Sequence, residues 1–253
     1  MSVRTKPWPP GVPSWVDLSC PDPGAAGAFY AAVLGWTVVD TGLEFDDYRL
    51  GLVEGGAAAG IGSRGGLGWT LYLATDDLDA TLTKVRAAGG HVLAPAMDIG
   101  DTGRRAVVAD PTGTEVGLWQ AGAHPGAEWV NSPGAMIWED LRCADPAVSM
   151  RFYADVFGWT FQPLFDGYGT VTNPDAPWPV GGLGPLWGGQ PGWLVYFAVA
   201  DVDVAISAAL GAGGSLVREA EDTPYGRMGQ IADPDGIVVA LMSANPDRPQ
   251  PTR

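Results

Sequence analysis

Residues 15–36 read WVDLSCPDPGAAGAFYAAVLGW, and residues 138–159 read WEDLRCADPAVSMRFYADVFGW. The two stretches lie 123 positions apart without a gap, and 12 of their 22 positions are identical. A unit that returns once at this distance marks a duplicated domain, not a short-period solenoid. Each copy opens on residues that alternate as a half-buried strand does. In the first copy Asp22 then supplies a side-chain acceptor for a helix N-cap, and Pro23 suits the first helical position. Phe29, Ala32 and Val33 keep the helical period, and Gly35 ends it.

Other echoes keep nearly the same offset. Asp110-Pro111-x-Gly113 matches Asp233-Pro234-x-Gly236, Ala88-Gly89-Gly90 matches Ala212-Gly213-Gly214, and AGIG (59–62) matches GGLG (181–184). The pattern predicts two homologous domains, residues 1–122 and 134–253. Residues 123–133, rich in Gly, Ala and Pro, read as a linker, and the polar tail 245–253 as a frayed end. Within the first domain WTVVD, YRLGLV and AGIG read as short strands after the helix. WTLYLAT (strand) and DLDATLTKVRAAGG (helix with a glycine stop) follow, then the strands HVLAP, GRRAVVADP and TEVGLWQ. Each domain is thus strand-helix-strand-strand-strand, twice.

An apolar content of 46 % against 17 % charged residues is enough for packed cores and argues against disorder. The net charge of −15 repels phosphate backbones and anionic membrane surfaces. No segment reaches signal-peptide length or the ~20 apolar residues of a membrane span, so a cytoplasmic protein is expected. Cys20 and Cys143 occupy equivalent positions and read as small buried thiols.

The order strand, Asp-Pro, helix, Phe-Tyr, (Leu/Phe)-Gly-Trp, then Asp-Pro-x-Gly before a last strand, resembles the vicinal oxygen chelate superfamily. That group includes glyoxalase I, bleomycin-resistance proteins and extradiol dioxygenases. The resemblance covers nearly the whole chain. Its tandem form, with Gly-Arg before the penultimate strand and Leu-Trp-Gln after Asp-Pro-x-Gly, is most similar to actinobacterial glyoxalase-like proteins. The resemblance implies an α+β fold: four βαβββ modules paired into two cupped eight-stranded mixed sheets with helices outside. It also implies a ligand in the cup and, in the family's enzymes, a divalent metal. The family's metal-ligand positions fall on Trp15, Thr70 and Gly117, and on Trp138, Leu194 and Ala240. None offers the imidazole or carboxylate that such metals want, and an indole nitrogen only donates. Neither metal nor cofactor is expected.

Alternation sorts the faces. With Trp15 in the cup, so are Asp17 and Ser19, Thr70, Tyr72 and Ala74, and Glu115, Gly117 and Trp119. The second cup shows Trp138, Asp140, Arg142, Leu194, Tyr196, Ala198, Val238, Ala240 and Met242. Glu139 falls on the helix face, where Val16 sits in the first copy, so it lies near an edge or the register shifts by one. Tyr48 and Tyr168, at loop-to-strand positions, either roof a pocket or stay outside it. Asp17 and Asp140 are candidates for a general base raised by burial beside indole, or are satisfied structural acceptors. Glu115 is a candidate partner of Asp17. Arg104 and Arg227 read as loop braces, His124 as a solvated linker residue, and His91 as a strand residue without partners at ligand spacing.

Aromatic walls with a few placed polar groups are the recipe of an organic-ligand pocket. The first cup is the more aromatic and polar, so one cup is expected to be primary. These residues imply a metal-free small-molecule binding protein that holds an aromatic or hydrophobic metabolite. The alternative is a metal-independent tailoring enzyme (isomerase, cyclase or hydrolase-like) with Asp17 or Asp140 as acid/base. A divalent-metal lyase or dioxygenase using Asp17 and Glu115 ranks lower, beside a structural module with a filled cup. No nucleic-acid or membrane partner is expected, and the chain is read as a monomer or homodimer.

Overall fold

A computed structural model describes residues 4–42, 47–63 and 65–244. Strand β1 (Pro13–Ser19) leads into helix α1 (Pro23–Leu34). The Asp22 side chain accepts from the Ala25 N–H at 2.9 Å, and Gly35 closes the helix with a left-handed φ of 74°. A meander of β2 (Thr37–Asp40), β3 (Arg49–Val53) and β4 (Gly56–Gly62) completes the first module. The second module runs β5 (Gly68–Ala74), α2 (Leu78–Ala87), β6 (His91–Ile99), β7 (Gly103–Ala109) and β8 (Glu115–Ala121).

The first strands of the two modules, β1 and β5, lie antiparallel at the centre of one sheet. Each is flanked in parallel by the last strand of its own module, β4 on one side and β8 on the other. The order is β2-β3-β4-β1-β5-β8-β7-β6. The second domain repeats it with β9 (Met136–Arg142), α3 (Pro146–Phe157), β10 (Thr160–Phe165), β11 (Tyr168–Thr172) and β12 (Pro179–Gly184). It continues with β13 (Gly192–Ala198), α4 (Val202–Gly211), β14 (Ser215–Thr223), β15 (Gly226–Ala232) and β16 (Val238–Ala244). The two eight-stranded mixed sheets and four helices are those of the α+β fold that the resemblance implied. Among the described residues no helix is long and apolar enough to cross a membrane.

The helices lie outside both cups but do not simply coat the molecule. Helix α1 packs on α4, and α2 on α3, across the domain boundary. The contacts are reciprocal. A Cβ on Gly214 would sit 2.8 Å from Phe29 Cε2, and one on Gly90 would sit 2.7 Å from Phe152 Cε2. The Tyr30 hydroxyl donates to Asp233 at 3.1 Å, and the Ser149 hydroxyl to Asp110 at 2.6 Å. The repeated Phe-Tyr, Ala-Gly-Gly and Asp-Pro-x-Gly motifs are therefore where each domain docks on the other. Phe197 of β13 also meets Trp36 and Trp69 of the first domain, so one apolar core runs through both.

Residues within 123–133 dock on the first domain: the Ala127 N–H donates to Ser14 O at 2.6 Å and the Glu128 N–H to Ala57 O at 2.7 Å. The Glu128 carboxylate accepts from the Ala57 N–H, and Trp129 is buried over Gly56. Glu139 is neither at an edge nor evidence of a slipped register. It is fully buried opposite Val195, while Trp138 pairs with Tyr196 and Asp140 with Leu194. Residues 245–253, read as a frayed tail, lie outside the described residues.

Candidate functional site

Two residues apart on one strand means one face. Trp15 and Asp17 share the cup face of β1, and the Trp15 Nε1–H donates to Asp17 Oδ1 at 2.7 Å. The Tyr48 hydroxyl donates to the same oxygen at 2.6 Å. The second cup repeats this: Trp138 Nε1 and the Tyr168 hydroxyl each donate to Asp140 Oδ1 at 2.8 Å. There the Tyr196 hydroxyl takes the other carboxylate oxygen, Oδ2, at 2.8 Å. In the first cup Arg105 Nη1 donates to the Tyr72 hydroxyl at 3.2 Å and lies 3.9 Å from Asp17 Oδ2.

Tyr48 and Tyr168 reach the aspartates from their loop-to-strand positions. They lie down across neighbouring strands, and glycine makes the room. A Cβ on Gly60 would fall on the Tyr48 hydroxyl and Asp17 Oδ1, and one on Gly182 on the Tyr168 hydroxyl and Asp140 Oδ1. Burial first, and the adjacent aspartate second, push the phenols of Tyr48, Tyr72, Tyr168 and Tyr196 above the ordinary tyrosine range. All four stay neutral donors at physiological pH. Asp17 and Asp140 are acceptors held by these donors, which fits the satisfied-acceptor reading better than the free general base.

In each cup an arginine acts on the tyrosine, but from a different strand. Arg105 comes from β7, and its counterpart in the second domain is Met228. Arg142 comes from β9, where the first domain has Ser19. The Arg142 guanidinium acts on the Tyr196 phenol, yet its Nε is buried with no hydrogen-bond partner. Sequence reasoning passed over Arg105 because the repeated Gly-Arg drew attention to Arg104. The signal was there: Arg105 pairs with Trp119 across β7 and β8, so it shares the cup face. Arg104 is the brace it was read as, with Asp79 at 2.9 Å and Asp98 at 2.8 Å, and Arg227 likewise joins Asp203 and Asp222.

The remaining candidates fall as follows. Thr70 stands beside Asp17 across β1 and β5, and Leu194 beside Asp140 across β9 and β13. Met242 is buried next to Ala198. Glu115 is exposed at the start of β8 and joins no acid/base pair with Asp17 among the described residues. Cys20 and Cys143 are buried free thiols, and burial pushes the Cys20 thiol up to about 11.

His124 is not solvated. Its ring meets Trp15 edge-on with centroids 4.6 Å apart and lies 5.7 Å from the Trp119 ring. The Trp119 Nε1–H donates to the His124 carbonyl at 3.1 Å. Burial lowers the imidazole pKa and keeps it neutral, while Glu128 and Asp17 pull weakly the other way. The docked segment therefore lays His124 over the first cup's tryptophans. Beside the second cup a small cavity of about 30 Å³ lies among Tyr196, Arg218, Glu221, Met228, Gly229 and Gln230. That is a space for water, not for an organic ligand of ordinary size, whose pockets run to ~300 Å³ or more.

The divalent metal of the family's enzymes does not fit these residues. The ligand positions carry indole, hydroxyl, aliphatic groups or no side chain, and Asp17 Oδ1 already takes two donors. Among the described residues no three His, Cys, Asp or Glu side chains converge.

Residues 15–119 match a family described as a glyoxalase-like domain, and residues 135–241 match the glyoxalase/bleomycin resistance protein/dioxygenase superfamily. "Putative glyoxylase CFP32" of Mycobacterium tuberculosis is 38 % identical over 254 residues, covering 94 % of this chain and 97 % of that protein. "Anthracycline biosynthesis protein DnrV" of Streptomyces peucetius is 35 % identical over 269 residues, covering 94 % and 96 %. A Mn(II)-bound glyoxalase from Novosphingobium aromaticivorans shares the fold at a TM-score of 0.66 and 19 % identity, covering 99 % of this chain and 87 % of that one.

Proposed function

The chain belongs to the glyoxalase/bleomycin resistance protein/dioxygenase superfamily, as two such domains in tandem, and within it we propose a metal-independent binder of aromatic small molecules. The observation that carries this reading is the Trp138–Asp140–Tyr168–Tyr196 network and its counterpart around Asp17. A carboxylate held by an indole and two phenols is a rigid polar floor inside an aromatic wall. Such a floor orients a ligand with few polar groups and leaves stacking to supply affinity. The donor set also speaks for binding without a metal, since the residues at the family's metal positions are poor ligands. The relative named for anthracycline biosynthesis points to a planar, hydroxylated polycyclic aromatic as the ligand class.

Two measurements test the proposal. Elemental mass spectrometry on untagged protein purified without chelator should find near-zero divalent metal per chain. Titration with a hydroxyanthraquinone should quench the tryptophan fluorescence saturably. Stoichiometric metal would sink metal independence, and failure of every planar aromatic in a panel to bind would sink the ligand class.

A further inference from the structure

Two exposed aromatic rings of the second domain are gathered at one place. Trp187 is 50 % exposed and Phe165 is 56 % exposed. They flank Tyr168, with ring centroids 5.7 Å and 5.3 Å from it. Tyr168 is the phenol bonded to Asp140, so three rings lead from solvent to the polar floor of the cup. Gly184 lies beneath them: a Cβ there would be 2.8 Å from Trp187 Cη2 and 2.9 Å from Tyr168 Cδ2.

Trp187 is held at a backbone cost. It sits in the turn Leu186–Gly189, closed by the Gly189 N–H donating to Leu186 O at 2.8 Å. Trp187 has φ 45° and Gly188 φ 80°, two consecutive left-handed residues. Such turns favour Asn-Gly or Gly-Gly, and a bulky residue there is strained. Strain of this kind persists where the surroundings hold it and gathers at ligand sites, and here it keeps one half of a large ring in water. The corresponding loop of the first domain, residues 63–67, contains no aromatic residue at all.

A charge lies under the same turn. A Cβ on Gly189 would be 3.7 Å from Arg142 Nη1, and the Arg142 Nε is the buried donor without a partner. The two cups therefore differ: His124 covers the tryptophans of the first, while the second presents a ladder of rings and an under-used guanidinium at its mouth.

We infer that Trp187, Tyr168 and Phe165 form the stacking face, and Arg142 the anion contact, of a site for a planar aromatic molecule with an acidic hydroxyl or carboxylate. The site lies at the mouth of the second cup, which makes that cup the primary one. This rests on the small-molecule binding proposed above. Stacking supplies sequence-independent affinity for any flat ring system, and the guanidinium selects the acidic members.

The test is calorimetric titration of the full chain with a hydroxyanthraquinone carboxylic acid and with its neutral parent. The wild type should bind the acid saturably at one site and the neutral parent more weakly. Trp187→Gly should weaken the acid at least tenfold while melting no lower than the wild type, because glycine suits the left-handed backbone. Phe165→Ala should weaken both probes. Saturable wild-type binding that Trp187→Gly and Phe165→Ala leave within twofold would overturn the site but spare the binding function. Loss of binding on His124→Ala, with Trp187→Gly unaffected, would move the site to the first cup and overturn the inference. No saturable binding of either probe to the wild type would overturn the site and the function together.

Discussion

The indole nitrogen of Trp138 lies 2.8 Å from the carboxylate of Asp140, two residues further along the same strand. The same relationship joins Trp15 to Asp17 at 2.7 Å. In both cups the first strand places an indole donor that serves a carboxylate two residues on.

Removing that carboxylate strands its donors. Asp140→Ala leaves the Tyr168 and Tyr196 hydroxyls short of an acceptor, and the Trp138 nitrogen with only the Tyr168 oxygen at 3.3 Å. Unsatisfied buried donors cost about 1–3 kcal/mol each, so a loss of about 3 kcal/mol or more is expected in urea denaturation. Trp138→Phe removes one donor and keeps most of the ring, and should cost about 1 kcal/mol.

Gly182→Ala tests the space that lets Tyr168 reach Asp140. The new methyl would occupy the place of the Tyr168 hydroxyl and Asp140 Oδ1. Overpacking of this kind costs about 1–3 kcal/mol, with the lost hydrogen bonds added. Combining Gly182→Ala with Tyr168→Phe should cost less than the sum of the single changes, since the phenylalanine lacks the clashing oxygen. Simple additivity in that double-mutant cycle would show that the two do not meet.

The domains should unfold together. Phe29 packs on the second domain and Tyr30 bonds to Asp233, within a core common to both. Phe29→Ala is expected to cost about 3–5 kcal/mol and Tyr30→Phe about 1–2 kcal/mol. Differential scanning calorimetry of the wild type should show one transition, and two resolved peaks would contradict a common core.

Acid should loosen the first cup. Burial lowers the pKa of His124 in the folded protein, so between that value and the unfolded value of about 6.5 the unfolded chain binds the extra proton. Stability contributed by the neutral imidazole, edge-on to Trp15, is complete above about pH 6.5 and declines as the pH falls below it. His124→Gln should flatten that slope between pH 7 and pH 5 in thermal melts, whereas an unchanged slope would place the titrating group elsewhere.

Chelation should leave the fold untouched. With no three metal-ligating side chains converging among the described residues, the melting temperature should be the same with and without EDTA. A drop would reveal a structural ion.

The short-range features were legible because their causes are short-range. Asp22 and Asp145 cap helices through their own side chains, Gly35 and Gly158 end them with left-handed backbone, and period-two alternation placed Trp15 with Asp17 and Trp138 with Asp140 on one face. The same rule placed Tyr72 and Tyr196 in the cups. Applied one residue further along β7, it would also have placed Arg105. Glu139 was misjudged because its burial opposes its polarity, and pattern alone assigns a charge to an edge.

The sequence by itself determined the duplication and the module order, since each depends on identity, spacing or local backbone preference. Only the tertiary structure decided that Tyr48 and Tyr168 reach the aspartates, that residues around His124 dock over the first cup, and that the repeated motifs hold the domains together. It alone brought Trp187, Tyr168 and Arg142 to one mouth. These are contacts between residues far apart in the chain, set by how sheets and helices stack, and no local pattern records which distant surface a side chain will meet.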